Sequence, residues 1–431
     1  MATATYLGID LGSTTSKAVL VNDEGKVVGL GLTNTRSNYD VAAQVARAGA
    51  VQDAQLSQLE GMLAKQGVDD AAALTAEVRR ASIVQTAAER LEVLRKRVFE
   101  LTRTAPDGGD AAAAKVDKVW AKMSADADAI FGPLAADRSR FFRDVVGARM
   151  LNEAEAMAQA HELSFELAVG SYDRAIVEVE NAESGAELGA LLDRALGRAK
   201  TEAAERQAVA KAWKALEAEP LQVKRMVGTG YGRQRLPFPK ESIRSEILCH
   251  GLGAHSFFPG TRTVLDIGGQ DTKAIQVDAD GVVTSFQMND RCAAGCGRYL
   301  GYIAEEMNLG IHELGPLALE ANRAVRISST CTVFAGVELR ERLSLGERRE
   351  NILLGLHSAI VLRAMSLLAR SGGVKDEFTF TGGVARNPAV VHELKKLVAR
   401  HYGERKLNIS ADSIYTGALG AALFARRQGE A

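Results

Sequence analysis

Two kinds of hydrophobic pattern divide the chain. At residues 6–10, 17–22 and 27–30, short runs rich in apolar and β-branched residues are separated by glycine-containing turns, and the arrangement returns at 263–266, 273–277 and 282–286. Such runs predict strands joined as hairpins. Residues 41–219 read differently: 44 alanines, 11 of the 41 glycines and two of the eight prolines (Pro106, Pro133) give good helix formers with few breakers. Leu91, Leu94, Val98 and Leu101 make one helical stripe, and Leu188, Leu191, Leu192 and Leu196 another. Each stripe needs a cover, which antiparallel helix hairpins turning at 104–110 and 131–133 supply. The stretch reads as a packed helical insertion; the sharper reading makes it a docking arm for another subunit.

The two strand blocks superimpose at an offset of 256 residues. Across 10–27 against 266–283, seven of eighteen positions are identical: Asp10, Gly12, Lys17, Ala18, Val21, Gly25 and Val27. An internal duplication explains this, with two hairpin-led halves facing each other across a cleft.

Composition narrows the classes. With 431 residues and 46% apolar content, the chain can fill more than one core, which excludes full-chain disorder. A net charge of −1 gives no global drive toward nucleic acid or anionic membrane. The sequence has no run of about 18 apolar residues and no signal-peptide pattern at its start, so no membrane span is predicted and a cytoplasmic protein is expected. Four cysteines (Cys249, Cys292, Cys296 and Cys331) cannot make a disulfide scaffold and are free thiols, metal ligands or redox centres.

The hairpin tips carry the first chemistry. In Asp10-Leu-Gly-Ser-Thr-Thr-Ser-Lys17, Gly12 lets backbone approach a phosphate, Ser13, Thr14 and Thr15 can donate to it, and Lys17 supplies charge. A carboxylate beside phosphates is repelled unless a cation intervenes, so Asp10 and Asp266 together would hold hydrated Mg²⁺. Late in the chain, a β-rich run ends at Gly382-Gly383 before a helix starting near Pro388, a surface on which adenine can lie against backbone. A final helix begins with small residues at Gly417, Ala418, Gly420 and Ala421, suited to close packing.

In this order, DLGSTTSK, DIGGQDTK, TGGVARN and the small-residue helix resemble the elements of the actin-like ATPase superfamily, over about 250 residues outside the insertion. The resemblance implies an α/β fold of two ribonuclease-H-like domains closing on MgATP, interrupted here by a large all-α insertion. Residues 1–40 and 220–262 would form domain I and 263–410 domain II, with 411–431 packing back on domain I. Asp10 and Asp266 would serve Mg²⁺, Gly12–Lys17 and Gly268, Gly269 and Gln270 the phosphates, and Gly382 and Gly383 the adenosine. Gln270 would orient the attacking water, since a side-chain amide both accepts and donates without ionising.

The cysteines select among such ATPases. Cys292 and Cys331 each sit at the start of a predicted helix, where thiolates and anionic groups are favoured. Two thiolates do not complete a four-cysteine Fe–S site, so the rest comes either from Cys249 and Cys296 or from a second subunit. NDRCAAGCGR, SSTCTVFA, GTGYGR and EILCHGLGAHSFFPG together resemble the BadF/BadG/BcrA/BcrD type of ATPase, which comprises the activators of 2-hydroxyacyl-CoA dehydratases and the ATPase subunits of class I benzoyl-CoA reductase. That resemblance implies one [4Fe–4S] cluster shared across the interface with a related subunit, through Cys292 and Cys331 of this chain, with Cys249 and Cys296 as bystanders. Arg298, Arg323 and Arg326 are candidates to balance the cluster's charge, and the histidines, His250 included, read as packing or solvent residues.

The long insertion and NTRSNYDVA resemble the larger ATPase subunit of benzoyl-CoA reductase. They imply a chain that passes low-potential electrons from ferredoxin to the dearomatisation of benzoyl-CoA, beside a smaller paralogous ATPase subunit and two substrate-binding Fe–S subunits. Three alternatives remain: an activator of a 2-hydroxyacyl-CoA dehydratase, an acetate- or sugar-kinase-like phosphotransferase, and a chaperone-like regulatory ATPase.

Overall fold

Strands form where the apolar runs lie, and helices where alanine dominates. The computed structural model describes residues 4–429 except 37, 136–140, 183–186, 231–236, 291, 293–294 and 328–331. The chain begins with β1 (Ala4–Leu11), β2 (Thr15–Asn22) and β3 (Val27–Asn34). Eight helices follow: α1 (Tyr39–Lys65), α2 (Ala71–Thr104), α3 (Asp110–Ala125), α4 (Ala127–Phe131), α5 (Phe142–Gln159), α6 (Phe165–Asn181), α7 (Leu188–Arg198) and α8 (Ala203–Glu217). Then come β4 (Gln222–Gly230), α9 (Glu246–Phe257), β5 (Thr263–Ile267), β6 (Thr272–Val277), β7 (Val283–Asn289), α10 (Gly297–Glu306), α11 (Leu314–Leu319) and α12 (Thr332–Ser344). The chain closes with α13 (Arg349–Ser371), β8 (Phe378–Thr381), α14 (Pro388–Tyr402), β9 (Leu407–Asn408) and α15 (Thr416–Gly429).

Two units divide these elements. One holds Met1–Thr5 and Lys26–Val223, and the other Tyr6–Gly25 and Lys224–Ala431. In the first, α1 lies tight on β3, because a methyl group on Gly29 or Gly31 would strike the carbonyls of Ala50 (2.1 Å) or Ala46 (2.0 Å). Caps set the helix starts, with Asn38 accepting from Asp40 and Val41, and Asp70 from Ala73. Two cores lie along the 34-residue α2. Toward its C-terminal end Leu91, Leu94 and Val98 join Trp120, Phe131, Met150 and Tyr172. Toward its N-terminal end Leu74 and Val78 join Leu59, Leu63, Leu188, Leu192 and Trp213. The two leucine stripes of the sequence thus serve different cores.

The second unit contains a five-stranded sheet in the order β7-β6-β5-β8-β9, with β5 antiparallel to β6 and parallel to β8. The strands β2-β1-β4 repeat the central β6-β5-β8 order. The repeat extends to atoms. A methyl group on Gly230 (φ +127°) would lie 2.3 Å from the carbonyl of Leu11, and one on Gly382 (φ +86°) 2.3 Å from that of Ile267. Leu11 and Ile267 are related by the 256-residue offset (267 − 11), so Thr229-Gly230 and Thr381-Gly382 are equivalent strand ends. Only glycine tolerates both the positive φ and the contact.

The closing helix packs as its small residues suggest. Gly420 meets the backbone of Cys249, Gly253 that of Thr416, and Gly8 of β1 that of Ala418. Among the described residues one helix, α13, is long and apolar enough to cross a membrane, with a mean hydropathy of 1.9 over its most apolar window, but 67% of that window is buried. Ile352, Leu353, Leu356, Ile360 and Leu368 belong to the main core around Phe378 and Phe380, which accounts for the apolarity.

Candidate functional site: a charged nucleotide cleft and its cysteine segment

The two hairpin tips meet. A methyl group on Gly269 would lie 2.3 Å from Thr14 Oγ1 and 3.8 Å from Ser13 Oγ, so the turns at 12–15 and 268–270 face each other at side-chain distance. Thr14 is exposed, while Gly12, Ser13, Thr15, Gly268, Gly269 and Gln270 are half-buried. Lys17 folds back over Gly12, its Nζ 3.7 Å from Asp10 Oδ2. Gly382 closes the strand end on Ile267, while the added methyl on Gly383 meets nothing within 4 Å, leaving open space beside the backbone. Asn387 caps α14 there, with Pro388 at its first position.

Beneath the tips lies a cage of charge that the sequence did not announce. Lys273, the duplicate of Lys17, has a side chain only 2% exposed, with Nζ 2.7 Å from Asp271, 3.0 Å from Glu246 and 3.6 Å from Asp266. Burial opposes the charge on Lys273, but the three carboxylates hold its pKa well above that of an ordinary lysine. Burial would likewise raise Asp266, yet His250, Lys273 and the Thr381 hydroxyl hold it below the usual carboxylate range. Asp271 is pushed upward by burial, and Glu246 adds to this against the pull of Lys273.

Asp266 is therefore engaged: Oδ1 accepts from Thr381 (2.8 Å) and lies 3.4 Å from His250 Nδ1, while Oδ2 faces Lys273. Asp10 differs. It is 2% exposed, and its Oδ1 is buried without a hydrogen-bond partner. Asp10, Glu246 and His250 bring one ligand atom each within 4.8 Å of one another. Glu246 and His250 are i and i+4 on α9. Thr416 Oγ1 donates to the carbonyl of Ser413 (3.1 Å), so it accepts from His250 Nδ1 (3.2 Å), leaving Nε2 toward Glu246 and Asp10. Four carboxylates (Asp10, Glu246, Asp266, Asp271) face two ammonium groups (Lys17, Lys273), an excess that a divalent cation would balance. The orphaned Asp10 oxygen and this donor set fit such an ion. His250, read from the sequence as a packing residue, is part of the site.

Replacing Asp10 by asparagine keeps the shape and removes the charge. ATP hydrolysis at saturating Mg²⁺ is expected to fall about 10²–10³-fold, the scale of losing one preorganised electrostatic contact. Phosphate release checks it, and an unchanged rate would remove Asp10 from the cation site.

The cysteine segment is bonded directly to the second tip. Gly297 N–H donates to the carbonyl of Gly268 and Arg298 N–H to that of Gly269, both at 2.8 Å, while Thr272 Oγ1 donates to the carbonyl of Gly295 at 2.6 Å. Cys292 is half-buried, and Asn289 Nδ2 donates to its carbonyl (3.2 Å). Cys296 is buried at the N-cap of α10, and burial pushes its thiol up. Cys249 is also buried and is pushed up to about 12 by burial. Cys331 lies outside the described residues. Of the arginines considered for charge balance, Arg323 is held by Glu347 (2.5 and 2.6 Å) and Arg298 and Arg326 are exposed. Among the described residues, Arg363 on α13 places a guanidinium at Cys292, 3.5 Å from Sγ.

Paired glycine hairpins, a glycine strand end and a small-residue closing helix define an actin-like ATPase fold, here with a large all-α insertion. The chain belongs to the BadF/BadG/BcrA/BcrD ATPase family, which it matches over residues 7–425. It is 39% identical over 203 residues to the 2-hydroxyisocaproyl-CoA dehydratase activator of Clostridioides difficile, 47% of this chain and 74% of that one. To the (R)-2-hydroxyglutaryl-CoA dehydratase activating ATPase of Acidaminococcus fermentans it is 41% identical over 202 residues, 47% and 75% of the two chains. A benzoyl-CoA reductase subunit of Thauera aromatica is 34% identical over 179 residues, 41% and 62%. Among solved structures, component A of the Acidaminococcus fermentans dehydratase matches 99% of this chain and 100% of its own with a TM-score of 0.53 at 24% identity, a likeness of fold. The family consists of ATPases that activate, or serve as subunits of, acyl-CoA dehydratases and reductases, and membership implies ATP and Mg²⁺ as ligands.

Proposed function

We propose that this chain couples ATP hydrolysis to delivery of low-potential electrons to a partner acting on an acyl-CoA, as the [4Fe–4S]-containing ATPase subunit of an ATP-dependent benzoyl-CoA reductase. The observation that carries the coupling is the backbone bonding of Gly268 and Gly269 to the first residues of α10, five residues beyond Cys292. A shift of the phosphate tip on nucleotide exchange pulls directly on the cysteine segment.

In the cleft, Ser13, Thr14 and Gly268–Gln270 bind and orient phosphates, and Lys17 offsets their charge. Asp10, with Glu246 and His250, would hold Mg²⁺, which supplies charge neutralisation to phosphoryl transfer. Gln270 orients water, and the space beside Gly383 takes the adenosine. Cys292 and Cys331 would ligate the shared cluster, which supplies one-electron chemistry when bound. The half-buried Cys292 thiol beside a guanidinium suits a thiolate ligand. Support for pairing with a related subunit comes from α12, which begins beside Cys331 and exposes Phe334 (66%) and Val337 (52%).

A second reading, activator of a 2-hydroxyacyl-CoA dehydratase, is favoured by the higher identity to the activators (39–41%) than to the reductase chain (34%). The long insertion favours the first. The test is anaerobic purification with whatever subunits accompany the chain. One four-iron cluster per subunit pair, reduced by ferredoxin, and ATP-dependent reduction of benzoyl-CoA are expected. Turnover confined to activation of a 2-hydroxyacyl-CoA dehydratase would establish the second reading, and iron-free protein would overturn both.

A further inference from the structure

We infer that Arg363 is a positioning residue that sets the reduction potential of the redox group ligated by Cys292. The inference rests on the proposed function and deepens it.

Arg363 projects from α13, a helix whose apolar face is fixed in the main core. Its Nη1 lies 3.5 Å from Cys292 Sγ, and its Nε is buried without a hydrogen-bond partner. Among the described residues, no carboxylate comes within ion-pair distance of it, whereas Arg323 is paired with Glu347 and Arg348 with Glu350. A guanidinium held against a core without an acid is costly unless an anion faces it. The sulfur of Cys292 is the group in that place. The cysteine loop is held in place beside it: Asn289 Nδ2 and Gly295 N–H donate to the Cys292 carbonyl, and Gly295, with no side chain, leaves room for Asn289, a methyl there being 2.9 Å from its Nδ2.

A rigid donor at a ligand sulfur has one predictable effect. Reduction adds one electron, and so one negative charge, without making or breaking a bond. An N–H···S bond from a fixed cation stabilises the more negative form, raising the potential. Exposed Arg298 and Arg326 act through solvent and contribute less.

The experiment uses anaerobically purified protein with its partner subunits, comparing wild type with Arg363→Met and Arg363→Lys. The readouts are iron content, thermal midpoint and the midpoint potential from a redox titration followed by electron paramagnetic resonance. With iron retained, Arg363→Met is expected to move the equilibrium about tenfold toward the oxidised form, ~59 mV more negative for one electron. Lysine keeps the charge but not the planar fork and should fall between; it carries the test if the methionine variant does not fold. Equal potentials in iron-loaded wild type and lysine or methionine variant would overturn the role of Arg363 alone. Iron-free wild type would overturn the functional reading beneath it.

Discussion

Replacing Lys273 with methionine is expected to unfold the second unit or bring it to the edge of unfolding. The side chain is 2% exposed and its ammonium faces Glu246, Asp266 and Asp271. Forming such a cage from solvated ions brings little net stability, but removing its cation leaves buried carboxylates facing one another. Breaking buried pairs in this way costs about 3–5 kcal/mol. Against a domain stability of about 5–15 kcal/mol, that is a large share. The raised pKa of Lys273 means that its contribution is fully present below the ordinary lysine value and is lost only as pH rises through the higher folded value. Wild-type stability between pH 6 and 9 should therefore show no titration from this group, and the loss in Lys273→Met should persist across that range. Urea denaturation followed by circular dichroism measures it. A companion change, Asp271→Asn, should restore part of the loss by removing one facing charge. A Lys273→Met protein with the wild-type denaturation midpoint would show that the cage does not hold the fold.

The same lysine shows where the sequence is legible and where it is not. The duplication aligns Lys17 with Lys273 and identifies both hairpins, and hairpin pattern and alanine content mark out the α/β halves and the helical insertion. Yet the two lysines end in different places. Lys17 is 14% exposed beside Asp10, and Lys273 is sealed below. The difference comes from residues the two copies do not share: Asp271 stands where the first copy has Thr15, and Glu246 arrives on α9 from outside the repeat. His250 escaped notice because its ligand-type neighbours are a glutamate one turn away and Asp10, 240 residues earlier in the chain (250 − 10). Arg363 escaped for the same reason. Sequence proximity pointed to Arg298, Arg323 and Arg326, whereas among the described residues Arg363, on a helix 71 residues after Cys292, puts a guanidinium at its sulfur. Local pattern carries the elements and hairpin tips, whereas tertiary packing decides which charges are paired.

The other large expected effect is at Cys292 itself. Cys292→Ser should lose nearly all cluster iron and all ATP-dependent electron transfer while ATP hydrolysis continues, an uncoupled ATPase. The argument lies in which atoms make the connection to the nucleotide hairpin. The bonds from Gly297 and Arg298 to Gly268 and Gly269, and from Thr272 to Gly295, involve backbone and a threonine hydroxyl but no sulfur. Serine leaves them in place and keeps the size of the side chain, so the phosphate tip retains its support. The hydroxyl oxygen, however, is a poor ligand for iron in place of a soft thiolate. Cys331→Ser should behave alike. Cys296→Ser should retain iron, because that thiol is buried at the start of α10 and burial disfavours its anion. Iron analysis and phosphate release on the three variants separate these outcomes. Full iron content in Cys292→Ser, or its loss in Cys296→Ser alone, would move the ligand assignment from Cys292 to Cys296.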